Sequence, residues 1–321
     1  MNTTPITSRR SRVSYTAVGG ARSHRLHREP DRLCILLLNR GGRFFRTRLF
    51  QEIQELKPSE VLCCEGPRVP HDIEDLSRRF PAVRFLILQE EVSVGEKINI
   101  GMEESDSPLV LVLWSDMRVS LPGDAAKFLD GIDRKGPLCT VPLLKNDRGL
   151  ILPSIQIPVL IKDLLKLAPF APLEKGMRSL VPFEFCGLYR RDKFLSSGGF
   201  DPVMTSPYWQ KIDFGLRTWL WGESIILNPD LQMVVQAEIS AEDTTADESY
   251  RLFYLKNIAV RLKENGAVLP YTKLPHYMAR SDLGPVYSGK EFREVRKWVE
   301  QNRHRFITDA RTLVKNWDIP D

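Results

Sequence analysis

Val92–Val119, VSVGEKINIGMEESDSPLVLVLWSDMRV, decides the fold. Its first half is polar with helical spacing, and its second holds Leu109–Leu113, LVLVL, apolar at every position. A strand lying half in water alternates apolar and polar residues, whereas one covered on both faces by helices reads as an unbroken apolar run. LVLVL is therefore a central strand. At its carboxyl end stand Trp114, Ser115 and Asp116. Open α/β sheets put their ligands at that edge, so Asp116 is the first candidate site residue.

Upstream, Leu33–Leu38 (LCILLL) is a second buried strand, and Phe45, Leu49, Ile53 and Leu56 mark one face of the helix after it. Glu60–Cys64 and Val83–Leu88 read as further strands, with a short helix at Ile73, Leu76 and Phe80 between them. Strand and helix alternate with short links, which predicts a mostly parallel α/β sheet with right-handed crossovers and helices on both faces. The turn after the first strand reads NRGGRF, not GxGxxG, and no GxxxxGK[ST] occurs, so dinucleotide-binding and P-loop folds are excluded.

Downstream, Pro122 opens a helix through Ala125, Phe128, Leu129 and Ile132, and Leu138–Leu144 is a strand. The proline-broken stretch Leu150–Pro172 reads as a hairpin and mobile flap, with lipid contact, chain contact or internal packing open for its apolar residues. Phe183–Tyr189 is strand-like, Tyr208–Trp221 is helical and closed by Gly222, and Ser224–Leu227 and Gln232–Gln236 are two short strands. Leu252, Leu255, Ala259 and Leu262 predict a helix ending at Asn265-Gly266, and Phe292, Val295 and Val299 another. The expected organisation is a basic, unstructured tail over 1–30 and an α/β domain over 31–240, followed by a helical extension over 241–321. The domain divides into a nucleotide-binding half, 31–120, and an acceptor half, 121–240.

The 321 residues carry a formal charge of +5, but six arginines precede the first acid, Glu29, leaving the remainder with 40 basic and 41 acidic side chains. A neutral body has no footprint for nucleic acid. The acid-poor start also suits a transit peptide or a tail resting on anionic lipid. No apolar run reaches the length of a membrane span, and the expected location is the cytoplasm, with peripheral membrane contact left open. Cys34, Cys63, Cys64, Cys139 and Cys186 sit mostly in strand-like runs without CxxC or Cys/His spacing, as buried thiols of a reducing compartment do.

The order of short motifs resembles the inverting family 2 glycosyltransferases of the glycosyltransferase-A fold, over about residues 32–240. The matching pieces are Leu38-Asn39-Arg40, Glu65-Gly66-Pro67, Asn99-Ile100-Gly101-Met102, Gly198–Asp201, and Gln210-Lys211-Ile212-Asp213 with Arg217. The resemblance implies transfer of a sugar from a nucleotide-diphosphate sugar to a saccharide, lipid or protein acceptor, with Mn²⁺ or Mg²⁺ as cofactor. It implies that Asn39, Arg40, Glu65, Lys97, Asn99 and Asp116 contact the nucleotide, that Asp116 binds the metal, and that Gly199 and Trp209 meet the acceptor. Growing negative charge on a leaving diphosphate explains the metal, and an attacking hydroxyl requires a base. Asp213 is the expected base, with Glu184 and Asp201 as other carboxylates open to the role.

The chain departs from that pattern at demanding positions. Trp114 replaces the first acid of Asp-x-Asp, Gln210 and Lys211 replace Glu-Asp, and Gln236 and Glu238 stand where a histidine is usual. The alternative is therefore a catalytically degenerate relative acting as a binding or scaffold protein. Simpler roles also suit the candidates: a turn cap for Asp116, a solvated turn for Glu65, a helix ion pair for Asp213 and Arg217, turn geometry for Gly198-Gly199, and core packing for Tyr208 and Trp209.

Overall fold

The computed structural model describes residues 13–20, 33–40, 44–67 and 73–318. Their elements run β1 (Tyr15–Gly19), β2 (Leu33–Leu38), α1 (Phe44–Glu55), β3 (Glu60–Glu65), α2 (Ile73–Arg79), β4 (Val83–Leu88), α3 (Val94–Glu104), β5 (Leu109–Trp114), β6 (Met117–Ser120), α4 (Ala125–Lys135) and β7 (Cys139–Asn146). There follow β8 (Ile155–Ile161), β9 (Leu164–Phe170), β10 (Gly187–Arg190), α5 (Arg191–Ser196), α6 (Pro207–Leu220), β11 (Ile225–Val235), α7 (Glu248–Phe253), β12 (Arg261–Lys263), β13 (Gly266–Val268), α8 (Leu274–Arg280), α9 (Pro285–Asn302) and α10 (Ala310–Lys315).

The main sheet has the order β1-β4-β3-β2-β5-β10-β7-β11-β6. Pairs β4-β3, β3-β2, β2-β5 and β7-β11 are parallel, while β1, β10 and β6 run antiparallel to their neighbours. Alternate residues of the apolar strands explain their composition. Cys34, Leu36, Leu38, Val110 and Val112 pack with Ile98, Met102, Ile212 and Leu216 of α3 and α6. Leu33, Ile35, Leu37, Leu109, Leu111 and Leu113 pack on the other face with Leu49, Phe50 and Ile53 of α1, Leu76 of α2 and Leu129 of α4. Gly101 lets α3 lie close on β2, since a Cβ there would sit 2.4 Å from Leu36 Cδ1. All five cysteines are buried, and none is in a disulfide.

Several expectations change. Tyr15–Gly19, within the stretch expected to be unstructured, is an edge strand on β4, stopped by Gly19 and Gly20 in the left-handed region; residues 1–12 and 21–32 lie outside the described residues. Phe183–Phe185 is a tight 3-10 turn rather than strand, because Glu184 and Phe185 both have positive φ. The two strands expected around Asn228 are one, β11, with a register shift at Leu227/Gln232, where Pro229 removes a backbone donor. The helix expected to reach Asn265 stops early. α7 passes into a π-turn, Tyr254–Ile258, and Leu262 lies in the β12–β13 hairpin. The hairpin expected within Leu150–Pro172 is present as β8–β9, tied near its tip by Asp163 to Arg311 at 2.6 Å and Lys273 at 3.3 Å. The C-terminal helices share the core: Phe253, Phe292, Trp298 and Trp317 belong to the same buried cluster as α3 and α6.

Candidate active site

Strand order reverses at β2, with β3 on one side and β5 on the other, and the carboxyl ends of all three meet at one edge. Such a switch point leaves a crevice that ligands use. The antiparallel strand β10, next to β5, begins at this edge, which brings Glu184 to it.

Asn39 Nδ2 donates to Glu65 Oε2 at 3.0 Å, joining the ends of β2 and β3. The Arg40 backbone N–H donates to Ser115 Oγ at 2.8 Å, and Arg40 Nε donates to Asp116 Oδ2 at 3.1 Å. Arg40 Nη1 also pairs with Glu184 Oε2, and its guanidinium lies 4.6 Å from the Trp114 ring centre. Burial by itself would weaken that guanidinium's hold on its proton, but Asp116 and Glu184 outweigh it and raise its pKa, so Arg40 stays charged. Trp114, in the place of an expected acid, is not idle: its Nε1 donates to the Glu184 carbonyl at 2.8 Å. That contact holds Glu184 at φ 51° and ψ 26°, a conformation that costs a non-glycine residue energy.

Asp116 is 1% exposed, and its Oδ1 has no hydrogen-bond partner. The cluster therefore offers an unclaimed anionic oxygen beside one guanidinium and the further carboxylates of Glu65 and Glu184. Lys97 of α3 lies near enough for its charge to act on the Cys64 thiol at the end of β3.

The other expected site residues form a second, deeper cluster. Asp213 is fully buried; Oδ2 accepts from Arg217 Nε at 3.2 Å and Nη2 at 3.1 Å, and Oδ1 accepts from Asn257 Nδ2 at 2.7 Å. Asp201 pairs with Lys256 at 2.6 Å. Arg217 also donates to the carbonyls of Ser197 and Gly199, at 2.5 and 2.6 Å. Asn99 clamps Phe200 in both directions, Nδ2 to its carbonyl at 2.7 Å and Oδ1 from its N–H at 2.9 Å. Gly199 has φ 64°, and a Cβ there would meet Asn99 Oδ1 at 2.4 Å, so its glycine identity serves this turn. Trp209 is buried, stacks on Phe253 at 5.4 Å, and donates to the Thr245 carbonyl at 2.7 Å. Gln210 ties α6 to α3 by accepting from Gly95 N–H at 3.0 Å. Asn99, Gly199, Asp201, Asp213 and Arg217 thus hold one another and the elements packed on them rather than the crevice of β2 and β5, while Lys211 lies near Phe183 and Phe185, its Nζ 5.9 and 5.6 Å from their ring centres.

No protein-family model and no curated protein matches the sequence. Solved structures do match. The crystal structure of GalNAc-T7 with UDP, GalNAc and Mn²⁺ is similar with a TM-score of 0.58 and 14% identity, over 92% of this chain and 59% of that one. S. aureus TarS 1-349 in complex with UDP-GlcNAc gives 0.48 and 12% over 90% of this chain and 76% of that one. The mannosyltransferase PcManGT from Pyrobaculum calidifontis in complex with GDP-Man and Mn²⁺ gives 0.43 and 12% over 89% and 79%. Of these three, the first alone passes 0.5 and carries the likeness, and the chain spans less than two thirds of its length. Together with the strand order, it shows the mostly parallel, helix-covered glycosyltransferase-A sheet.

Proposed function

We propose that the chain is a glycosyltransferase that moves a sugar from a nucleoside-diphosphate sugar to a saccharide, lipid or protein acceptor. The observation that carries this reading is the convergence of Asn39, Arg40, Glu65, Ser115, Asp116 and Glu184, from separate chain segments, on the switch point of the sheet. Asn39 and Glu65 offer paired donor and acceptor groups to a base or ribose. Arg40 offers a permanent charge to a phosphate. A scaffold with no ligand has no need to hold Glu184 and Phe185 in left-handed backbone at this edge, which favours an active site over the degenerate alternative.

The residues fit a divalent cation. Asp116 Oδ1 is a buried anionic oxygen with no partner, and one guanidinium among carboxylates leaves an arriving diphosphate short of positive charge. Among the described residues no three His, Cys, Asp or Glu side chains form a metal site by themselves, as suits an ion that takes most of its ligands from phosphate and water. Asp116 would hold it, and when bound it offsets the charge growing on the leaving diphosphate. Among the described residues no helix is long and apolar enough to cross a membrane.

Calorimetry with UDP and GDP, with and without Mn²⁺, tests the reading. One of the two is expected to bind, more tightly with the metal; no heat from either, under both conditions, removes the proposal.

A further inference from the structure

Of six carboxylates in the crevice, in the deeper cluster and on the segment after β11, five are enclosed by their partners. Glu65 accepts from Asn39, Asp116 and Glu184 hold Arg40, Asp201 holds Lys256, and Asp213 is enclosed by Arg217 and Asn257. The sixth, Glu242, lies on the segment after β11 with its side chain 32% exposed, against 12% or less for Asp116, Glu184, Asp201 and Asp213. Its partner is Lys211, whose side chain is 1% exposed. A buried ammonium is costly without a counter-charge, so Lys211 anchors a carboxylate at this point. Lys211 Nζ lies 5.9 Å from the ring centre of Phe183 and 5.6 Å from that of Phe185, the two neighbours of Glu184. The Cys186 thiol feels the charges of Glu184, Arg40, Asp116 and Lys211 together, so the ammonium belongs to the same neighbourhood as the donor cluster. The segment is pinned on both sides of Glu242: Gln236 N–H donates to the Asp116 carbonyl at 2.9 Å, and the Thr245 carbonyl accepts from Trp209.

We infer that Glu242 is the general base for the acceptor hydroxyl, with Lys211 as the positioning residue that holds it beside the donor crevice; this rests on the transferase reading above. The acceptor oxygen bonds to the anomeric carbon with its lone pair, and its proton passes to the Glu242 carboxylate. The bond from that carbon to the β-phosphate oxygen breaks, its electrons leaving with the nucleoside diphosphate. Glu242 then returns the proton to water, and the sugar leaves with inverted configuration. Tyr208 lines this side of the segment, its phenol held above the usual range by burial and by the charge of Glu242.

The test uses the full chain with Mn²⁺ and UDP-glucose, UDP-GlcNAc or GDP-mannose, water standing in for the acceptor, and follows release of the diphosphate. Glu242→Gln keeps a hydrogen-bonding partner for Lys211, so it is expected to bind UDP or GDP within about twofold of wild type while kcat falls by about 10² or more. Lys211→Met is expected to lower kcat while leaving UDP or GDP binding near wild type, because nothing then holds the Glu242 carboxylate in place, and Lys211→Arg, which keeps a cation there, is expected to restore most of it; equal kcat in the two variants overturns the positioning role. Unchanged kcat in Glu242→Gln, or a product of retained configuration, overturns the assignment. So does a wild type that binds a nucleotide but releases none from the three donors. A wild type that binds neither nucleotide fails earlier and differently, at the donor site, and removes both proposals.

Discussion

Asp116→Asn is expected to abolish the Mn²⁺-dependent part of nucleoside diphosphate binding and to lower sugar transfer by on the order of 10³-fold, the several kcal/mol that a metal and its carboxylate supply. The substitution keeps the shape of the side chain but removes the charge at the unpartnered Oδ1. Arg40 retains Glu184 and is itself 29% exposed, so no buried charge is stranded and the melting temperature should stay within a few degrees. The two readouts separate the possible roles of this residue. A turn cap would lower the melting temperature and leave nucleotide affinity alone; a ligand site does the reverse. Calorimetric titration of UDP or GDP into the variant, with thermal melting alongside, decides between them.

Asp213→Asn is expected to act on stability. Desolvation alone would raise the pKa of this fully buried carboxyl group, but Lys256 and Arg217, with hydrogen bonds from Asn257 and Arg217, outweigh it and hold the pKa below the ordinary range. Removing its charge leaves Arg217 without a counter-ion in the core, at a cost of about 3–5 kcal/mol. Urea denaturation should show that loss as a lower midpoint with the same slope. The stabilisation from Asp213 is present above the unfolded pKa of about 3.9 and fades as pH falls through the lower folded value, so wild type and variant should converge in acid. If the variant is as stable as wild type yet transfers no sugar, Asp213 is the base and Glu242 is not.

The sheet was legible because an apolar run covered on both faces has one reading, and LCILLL and LVLVL are such runs. That Asn39, Arg40, Glu65 and Asp116 share one edge was legible for a related reason: each lies at the end of a strand or within two residues of it, so locating the strand places the residue. The later motifs misled on contacts, because on α6 neighbouring positions point to different partners. Lys211 reaches Glu242, while Gln210 reaches α3 and Asp213 the C-terminal π-turn. Nothing local signals Glu242, which sits in a polar segment without periodicity and gains meaning only from a lysine 31 positions earlier. β1 escaped because YTAVG is mostly exposed and is made a strand by the free edge of β4. β6 escaped because four residues are too few to show a period.

The enclosed cysteines make the sheet report on itself. Burial pushes the Cys64 thiol up to about 12 and raises those of Cys34, Cys139 and Cys186 as well, which denies a disulfide reagent the thiolate it needs. Four of the five lie in β2, β3 and β7, two of which end at the donor crevice. The rate at which the native chain consumes such a reagent is then a clock for the parting of those strands, and a nucleotide that ties β2 to β5 should slow it.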